Sequence, residues 1–276
     1  MASSIPLAGV VGDPIGHSKS PILFRHWLST YGVAGHYVPL HVAQADFETV
    51  VRALPKAGFV GLNVTLPHKL AALKIADKCT DRAIMAGAAN TLIFRRDGLI
   101  HADNTDGYGF IANLRAGAPG WQPTAGPAAV LGAGGAARAV VASLIETGCP
   151  EVLLTNRTRS KAETLREDFG KKVTIVDWVE AGDAIEDATT IINTTALGMI
   201  GQAELRVPLD GLARGDVVCD LVYVPLQTKL LDTAREAGCV TVDGLGMLLH
   251  QAVPGFERWF GIRPEVNDKT RMAVLS

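Results

Sequence analysis

The 276-residue chain contains few cysteines, and no two of them are close in sequence. Cys79, Cys149, Cys219 and Cys239 form no C-x-x-C pair, so a zinc ribbon or a redox-active pair is not predicted. His-Glu-x-x-His is absent as well, and we therefore predict no metal site. Free and mostly buried thiols in a reducing compartment are the expected state of these cysteines.

The chain also lacks a strong net charge and a long apolar run. Its 26 Lys and Arg residues against 28 Asp and Glu residues give a formal net charge of −2. No general electrostatic attraction to nucleic acid or to an anionic membrane follows from that balance. No uncharged stretch of about 20 apolar residues predicts a membrane span, and the N-terminus lacks the basic and apolar regions of a secretory signal. We expect a cytoplasmic protein with no nucleic-acid or membrane partner, and a homodimer is one open alternative for its oligomeric state.

Short apolar runs alternate with helical patterns along most of the chain. From residue 128 the alternation of strand and helix is regular, which predicts a parallel sheet covered on both faces. Before that point, Asp97-Gly98 between two apolar runs predicts a hairpin. Ser20-Pro21 predicts the start of a helix with Ser20 as its N-cap. The Gly- and Pro-rich stretch over residues 117–127 is the clearest linker in the chain.

A glycine-rich loop follows the first strand of the regular region. Gly132-Ala-Gly-Gly-Ala-Ala137 fits the G-x-G-x-x-A pattern between a predicted strand and a predicted helix, which is the context that a dinucleotide-binding fingerprint requires. Glycine allows the backbone to approach a pyrophosphate, and the helix N-terminus offers free N–H groups. The loop therefore predicts dinucleotide binding in a Rossmann-like domain. A tight strand–helix turn without a ligand is the alternative.

The end of the next strand indicates which dinucleotide binds. A carboxylate there would accept hydrogen bonds from the adenosine ribose and favour NAD. The segment Thr155–Lys161 has no carboxylate and carries Arg157, Arg159 and Lys161. Guanidinium groups match a 2′-phosphate in geometry and in charge, and cations at a helix start oppose the helix dipole unless an anion compensates them. We therefore predict NADP(H) as the cofactor, with a solvated basic helix start as the alternative.

Several short motifs follow one another along the chain, and polar ones among them end predicted strands or begin predicted helices. They are Gly12-Asp-Pro-Ile-Gly-His-Ser-Lys-Ser-Pro21, Asn63-Val-Thr-Leu-Pro-His-Lys69, Ala89-Asn-Thr91, Asn104-Thr-Asp-Gly107, Gly132–Ala136, Asn156-Arg-Thr158, Gly198-Met199 and Gly244-Leu-Gly-Met-Leu-Leu-His-Gln251. By this series the sequence resembles the shikimate dehydrogenase family over almost its whole length. The resemblance implies the reversible, NADPH-dependent reduction of 3-dehydroshikimate to shikimate, a step of the chorismate pathway in aromatic amino-acid biosynthesis.

The resemblance also implies a catalytic pair. Lys69 matches the residue that protonates the ring carbonyl oxygen in reduction and removes that proton in the reverse direction. Asp106 matches the residue that orients this lysine and shares the substrate hydroxyl. The sequence leaves the protonation state of Lys69 open. The alternative is an exposed lysine at a helix start, which the helix dipole would disfavour without a partner.

Ligand-binding positions follow from the resemblance too. Ser18 and Ser20 match the pair that holds the substrate carboxylate, and hydroxyls at a helix start suit an anion. The other substrate-side matches are Thr65, Asn90 and Gln251 for the ring hydroxyls, and Tyr223. The cofactor-side matches are Asp81, Gly132, Ala133, Gly134, Gly135, Ala136, Asn156, Arg157, Thr158, Arg159, Ser160, Lys161, Leu221 and Gly244. For Asp81, a surface residue that caps a helix is the alternative, and for Tyr223 an ordinary amphipathic aromatic is.

The predicted architecture is an α/β fold with two domains. Residues 1–106 form a mainly parallel α/β substrate domain, and residues 107–243 form the Rossmann-like NADP domain. Helices over residues 244–276 are expected to pack back on the first domain, with the active site in the cleft between the domains. Two other functions stay open: a quinate or broad-specificity quinate/shikimate dehydrogenase, and a non-catalytic NADP-binding sensor.

Overall fold

The structure is a computed structural model that describes residues 5–276 in two units. The first unit comprises the described residues up to Asp106 together with Leu249–Ser276, and the second comprises Gly107–Leu248. The predicted linker over residues 117–127 therefore lies inside the second unit. Its residues 118–127 form a loop there, and the stretch marks no boundary between the units.

Six strands form the sheet of the first unit. They are β1 (Leu7–Gly12), β2 (His36–His41), β3 (Phe59–Val64), β4 (Lys78–Cys79), β5 (Thr91–Phe94) and β6 (Ile100–Asp103). The order across the sheet is β2-β1-β3-β5-β6-β4. β1 pairs in parallel with β2 and β3, β4 pairs in parallel with β6, and β5 runs antiparallel to β3 and β6. The predicted mainly parallel α/β sheet and the Asp97-Gly98 hairpin between β5 and β6 are both confirmed.

Helices of the first unit cover this sheet and enclose its apolar core. They are α1 (Ser20–Thr30), α2 (Phe47–Ala53), α3 (Lys69–Ile75), α4 (Asp81–Ala86) and α11 (Asp268–Leu275). Phe47 and Val51 of α2 pack with Leu62 and Val64 of β3 in one buried cluster. Burial of such side chains is the main stabilising contribution to a domain of this kind.

The C-terminal helix α10 (Leu245–Phe260) adds its later turns to the first unit. Phe24 stacks on Tyr37 with ring centroids 3.7 Å apart, and Phe256 and Trp259 of α10 pack around Phe24. Trp259 lies so close to β3 that a Cβ atom on Gly61 would come within 2.0 Å of its indole nitrogen. Glycine at position 61 is therefore required for this helix to pack on the strand.

Six parallel strands form the sheet of the second unit. They are β7 (Ala128–Leu131), β8 (Val152–Thr155), β9 (Val173–Val176), β10 (Thr190–Asn193), β11 (Val217–Asp220) and β12 (Val240–Val242). The order is β12-β11-β10-β7-β8-β9, and every pairing is parallel. From β7 the chain adds β8 and β9 on one side, and it then returns to add β10, β11 and β12 on the other side of β7. In such doubly wound sheets, ligands bind beyond the carboxyl ends of the strands at this point.

The helices of the second unit connect its parallel strands. They are α5 (Asp106–Gly117, whose first residue belongs to the first unit), α6 (Gly135–Glu146), α7 (Arg159–Phe169), α8 (Ala181–Glu186), α9 (Lys229–Glu236) and the first turn of α10. The strands β7, β8, β10 and β11 are buried along their whole length. Burial on both faces explains why these strands are continuous apolar runs rather than alternating patterns.

The predicted start of α1 at Ser20-Pro21 is confirmed, whereas its predicted N-cap is wrong by one residue. The start of the last helix, which the sequence predicts at Glu265 after Pro264, is three residues later. The N-cap of α1 is Lys19 and not Ser20, because the Ser20 N–H donates to Ser18 Oγ at 3.3 Å in the turn before the helix. The last helix begins at Asp268, where the Asn267 side chain accepts a hydrogen bond from the Thr270 N–H. The Asn267 side chain thus caps the last helix, whereas no side chain caps α1.

Candidate functional site

Lys69 and Asp106 form an ion pair in the first unit. Each is the first residue of a helix, α3 for Lys69 and α5 for Asp106. Lys69 Nζ lies 2.6 Å from Asp106 Oδ2, and the two side chains are 26% and 11% exposed. Lys69 is therefore not the solvated, unpaired lysine of the alternative interpretation. A partly shielded ammonium beside a carboxylate can hold a proton at a defined position and deliver it to a nearby oxygen.

Asn90 holds Asp106 from the other side. Its Nδ2 donates to Asp106 Oδ1 at 2.8 Å and lies 3.3 Å from Gln251 Oε1. The Asn90 Oδ1 atom accepts hydrogen bonds from the Thr105 N–H and from the Thr91 hydroxyl. Because Asn90 is almost fully buried, these bonds fix the orientation of its amide group. The structure thus places three predicted site residues, Asn90, Asp106 and Gln251, in direct contact.

A second polar cluster leads from Ser20 toward Asn90. The Tyr37 hydroxyl donates to Asn63 Oδ1 at 2.8 Å, and Asn63 Nδ2 donates to the Asn90 carbonyl at 3.3 Å. Burial raises the pKa of Tyr37 well above its ordinary value, and a hydrogen bond with Ser20 lowers it by a smaller amount. Sequence reasoning assigned no role to Tyr37 or Asn63. The available signal was a polar residue, Asn63, inside an otherwise apolar strand.

The other predicted substrate-side residues show fewer contacts. The Thr65 backbone N–H donates to the Val11 carbonyl, and its side chain is half-buried. Ser18 is half-buried as well, at the turn before α1. Tyr223 belongs to the second unit, and burial raises the pKa of its hydroxyl.

The glycine loop of the second unit leaves open space above the start of α6. Gly132 has a φ of +108°, and a Cβ atom there would meet Thr195 Cγ2 at 2.7 Å, so the turn itself requires glycine. A Cβ atom on Gly134 or Gly135 would meet no heavy atom within 4 Å. Glycine at these two positions is therefore not required by packing. An open helix N-terminus of this kind fits a pyrophosphate group.

The Ala133 backbone joins this loop to the end of β8. Its N–H donates to Asn156 Oδ1 at 3.0 Å, and Asn156 Nδ2 donates to the Thr158 carbonyl at 2.7 Å. Ala136 lies half-buried in the first turn of α6. The predicted cofactor residues from the two loops are thus linked by one asparagine side chain.

The three basic residues after β8 differ in their surroundings. Arg157, Arg159 and Lys161 are all exposed, as are Thr158 and Ser160. Arg159 forms ion pairs with Glu163 and Asp177, and the Asp177 carboxylate raises the pKa of Arg159.

The chain therefore compensates Arg159 with its own carboxylates, so this residue alone does not require a bound anion. Over residues 5–276, neither Arg157 nor Lys161 forms an ion pair. The positive charges of Arg157 and Lys161 therefore still favour a bound 2′-phosphate.

Leu221 and Gly244 meet in the second unit. A Cβ atom on Gly244 would lie 2.3 Å from the Leu221 carbonyl oxygen, so only glycine allows this backbone contact. Next to Leu221, the buried Asp220 accepts hydrogen bonds from Asn193, from Thr228 and from the Val222 N–H. Burial nevertheless raises the pKa of Asp220 above its ordinary value.

Asp81 is an exposed residue in the first turn of α4. It is not the cap of that helix: Thr80 is, and its hydroxyl accepts a hydrogen bond from the Ala83 N–H at 3.3 Å. The interpretation of Asp81 as a helix cap is therefore wrong. A first-turn carboxylate still interacts favourably with the helix dipole.

Three further observations concern the cysteines, metals and the membrane. Cys149 and Cys219 are buried and Cys79 and Cys239 are half-buried, and all four are free. Within the described part of the chain, no group of three or more His, Cys, Asp or Glu residues could hold a metal ion. No helix in residues 5–276 has the length and apolar character needed to cross a bilayer.

Comparison with known proteins places these features in a family context. The chain matches the family model described as "Shikimate dehydrogenase substrate binding domain" over residues 10–92. It matches "Shikimate / quinate 5-dehydrogenase" over residues 124–203 and "Shikimate 5'-dehydrogenase C-terminal domain" over residues 244–268. A shikimate dehydrogenase (NADP(+)) from a Ruegeria species is 68% identical over 271 residues, which cover 98% of each chain.

Several solved structures are similar over nearly the whole chain. The shikimate 5-dehydrogenase of Thermus thermophilus, in complex with NADP(H) and shikimate, is 33% identical with a TM-score of 0.87, and the match covers 99% of each chain. The quinate dehydrogenase of Corynebacterium glutamicum, in complex with NAD, is 30% identical with a TM-score of 0.90, and the match covers 98% of each chain.

Proposed function

The chain belongs to the shikimate dehydrogenase family, and we propose that it catalyses the reversible reduction of 3-dehydroshikimate to shikimate with NADPH. The observation that carries this proposal is the Lys69–Asp106 pair, 2.6 Å apart and held by buried Asn90. A protein that only senses NADP would have no use for a proton donor fixed in this way. The high identity to NADP-dependent relatives supports the same conclusion.

Lys69 acts as the proton donor in reduction. As the ring carbonyl carbon accepts a hydride, its oxygen gains negative charge, and the Lys69 ammonium transfers a proton to that oxygen. The product is the ring hydroxyl, and Lys69 is left as the neutral amine. In the reverse direction the neutral amine removes the hydroxyl proton. Asp106 orients Lys69 through its Oδ2 atom and contacts the reacting hydroxyl.

The remaining polar residues of the first unit hold the substrate. Ser18 and Ser20, at the start of α1, bind the carboxylate with hydroxyl and backbone donors. Thr65, Asn90 and Gln251 bind the ring hydroxyls, because a polyol requires several short donors and acceptors. Tyr223, which belongs to the second unit, is a further substrate-side residue, and its assignment rests on its match to the family motif.

The second unit binds NADP(H), which supplies the hydride when bound. The residues present fit this group: Gly134 and Gly135 leave room at the helix N-terminus, and Arg157 and Lys161 offer uncompensated positive charge. Ala133, Ala136, Asn156, Thr158, Arg159 and Ser160 complete the contacts to the phosphates and the adenosine, around the turn at Gly132. Leu221 and Gly244 contribute backbone contacts near the nicotinamide. Asp81 is assigned to the nicotinamide side from the family match alone.

A cytoplasmic location suits this function, since four free thiols persist in a reducing compartment.

For the oligomeric state of the protein, we propose a homodimer. Light scattering coupled to size-exclusion chromatography measures the mass directly, and a value near the 29.1 kDa of one chain would exclude the dimer.

The test is an absorbance assay of the reduced nicotinamide with shikimate or quinate, each with NADP⁺ or NAD⁺. We expect turnover mainly with shikimate and NADP⁺. Turnover mainly with quinate or NAD⁺ would overturn the assignments of Ser18, Ser20 and Arg157. Binding of NADP⁺ without turnover in any combination would favour the sensor.

Lys69→Met isolates the proposed proton donor. General acid–base catalysis contributes about 10²- to 10⁴-fold, so kcat should fall within that range while NADP⁺ binding is retained. Lys74→Met is the matched control, because Lys74 is an exposed lysine of the same helix. A Lys69→Met protein with the kcat of the control would refute the assignment.

A further inference from the structure

We propose that Asp103, held by Arg82, is a positioning residue for the catalytic pair: its carboxylate fixes the turn that presents Asp106 to Lys69. This inference rests on the proposed roles of Lys69 and Asp106 and extends them to two residues with no such assignment. Asp103 is the last residue of β6, three positions before Asp106, and its side chain does not reach the surface.

Arg82 binds the Asp103 carboxylate with two N–H groups of its guanidinium group. Arg82 Nε donates to Oδ1 at 2.6 Å, and Nη2 donates to Oδ2 at 2.5 Å. The Thr80 hydroxyl donates to Oδ1 at 2.7 Å. Bidentate arginine–carboxylate pairs define the relative geometry of the two groups more strictly than single hydrogen bonds do. The start of α4 is therefore rigidly joined to the end of β6.

The same carboxylate continues to Asp106 through Asn104. Asp103 Oδ1 accepts a hydrogen bond from the Asn104 N–H at 2.8 Å. Asn104 Oδ1 accepts one from the Asp106 N–H at 3.0 Å, and Asn104 Nδ2 donates to the Ala88 carbonyl at 3.0 Å. A displaced Asp103 would therefore displace the backbone from which the Asp106 side chain extends.

Asp103 also forms a hydrogen bond with Asn90, which in turn binds Asp106. The Asn90 N–H donates to the Asp103 carbonyl at 3.1 Å, and the Asn90 side chain donates to Asp106 Oδ1. Two separate routes, one through Asn104 and one through Asn90, thus connect Asp103 to Asp106. Neither route includes a residue of the second unit.

The charge state of Asp103 is consistent with this role. Burial alone would raise its pKa, but the hydrogen bonds from Arg82 and Thr80 and the positive charge of Arg82 outweigh burial and lower it. Asp103 is therefore ionised at neutral pH. A buried ion pair costs desolvation free energy and is weak evidence for a contribution to stability. Its rigid geometry beside the catalytic pair supplies a reason for its presence.

The principal variant is Arg82→Ala, because it removes the group that holds the Asp103 carboxylate and the Arg82 side chain is 42% exposed. Misplacement of a catalytic group by about 1 Å costs roughly 10²-fold in rate, so we expect kcat to fall about 10- to 100-fold. The KM for NADP⁺ should change less than about 3-fold, since no cofactor contact is removed. Arg95→Ala is the matched control, since it removes an exposed pair with Asp97 in the same unit and should preserve kcat.

A double-mutant cycle with Asp106→Asn separates positioning from a general structural effect. If Arg82 acts through Asp106, then Arg82→Ala should lower kcat little further once Asp106 is replaced. An equal fall in kcat in both backgrounds would overturn the proposal, as would a wild-type kcat for folded Arg82→Ala. Should Arg82→Ala not fold, Arg82→Lys takes its place in both backgrounds, with a smaller fall expected. Absence of shikimate turnover in the unmodified protein would refute the proposed function instead.

Discussion

Replacement of Gly134 by alanine tests whether the glycine loop is shaped for a ligand rather than for the fold. Gly134 is the N-cap residue of α6, with φ −88° and ψ −170°, an extended conformation that alanine adopts freely. A Cβ atom there meets no heavy atom of the protein within 4 Å. The substitution therefore introduces neither a clash nor backbone strain.

The expected effect on stability is small because two contributions oppose each other. Loss of backbone freedom in the unfolded chain stabilises a Gly→Ala variant by about 0.4–1 kcal/mol. Alanine is a poorer N-cap than glycine, which costs several tenths of a kcal/mol up to about 1 kcal/mol. The free energy of unfolding should therefore change by less than about 1 kcal/mol.

The expected effect on cofactor binding is much larger. The methyl group projects into the space where a pyrophosphate would approach the N–H groups of α6. Loss of one hydrogen bond to a charged group costs about 1.5–3 kcal/mol, and each 1.4 kcal/mol corresponds to a tenfold change in affinity. The Kd for NADP⁺ should therefore rise roughly 10- to 150-fold.

Titration calorimetry with NADP⁺ and urea unfolding without ligand measure the two effects separately. Gly120→Ala is the matched control, since a Cβ atom at Gly120 also meets nothing within 4 Å, in a loop of the same unit. If Gly134→Ala binds NADP⁺ as tightly as Gly120→Ala does, the loop does not hold the pyrophosphate as proposed.

Three further predictions concern stability. A Cβ atom on Gly61 would lie 2.0 Å from Trp259 Nε1, so Gly61→Ala should lower the free energy of unfolding by about 1–3 kcal/mol in urea titrations. Burial raises the pKa of Asp220, so the folded state binds the proton of this carboxyl group more tightly than the unfolded state does. The stability that this proton contributes is lost as the pH rises through the folded pKa. Asp220→Asn should therefore increase the free energy of unfolding at pH 7 more than at pH 4. Burial lowers the pKa of His250, so the melting temperature should fall as the pH drops below about 6.5. His250→Gln should flatten this part of the profile of melting temperature against pH, and an unchanged profile would contradict this reasoning.

Local features of the sequence determined much of the architecture. The strands β7, β8, β10 and β11 are buried and largely apolar runs separated by helical patterns, and the Asp97-Gly98 turn marks the hairpin of the first unit. These features depend on side-chain periodicity and on backbone freedom at single residues, and both can be recognised over a few positions. The same holds for the glycine loop at Gly132, whose position between a strand and a helix is visible in the sequence.

The contacts that organise the candidate site required the tertiary structure. Lys69 and Asp106 are 37 positions apart, and only the folding of the first unit brings Nζ and Oδ2 to 2.6 Å. The family resemblance named this pair, but it did not indicate Arg82 and Asp103 behind it. Their hydrogen bonds depend on the pairing of distant strands and on side-chain direction, which a single sequence does not encode locally.

The basic segment after β8 shows the same division. The sequence determined that three cations follow this strand and that no carboxylate accompanies them within Thr155–Lys161. Only the fold brings the Asp177 carboxylate, from the end of β9, against Arg159. Charges of equal sign in one segment thus differ in their electrostatic surroundings, which depend on the neighbours that folding places around each charge.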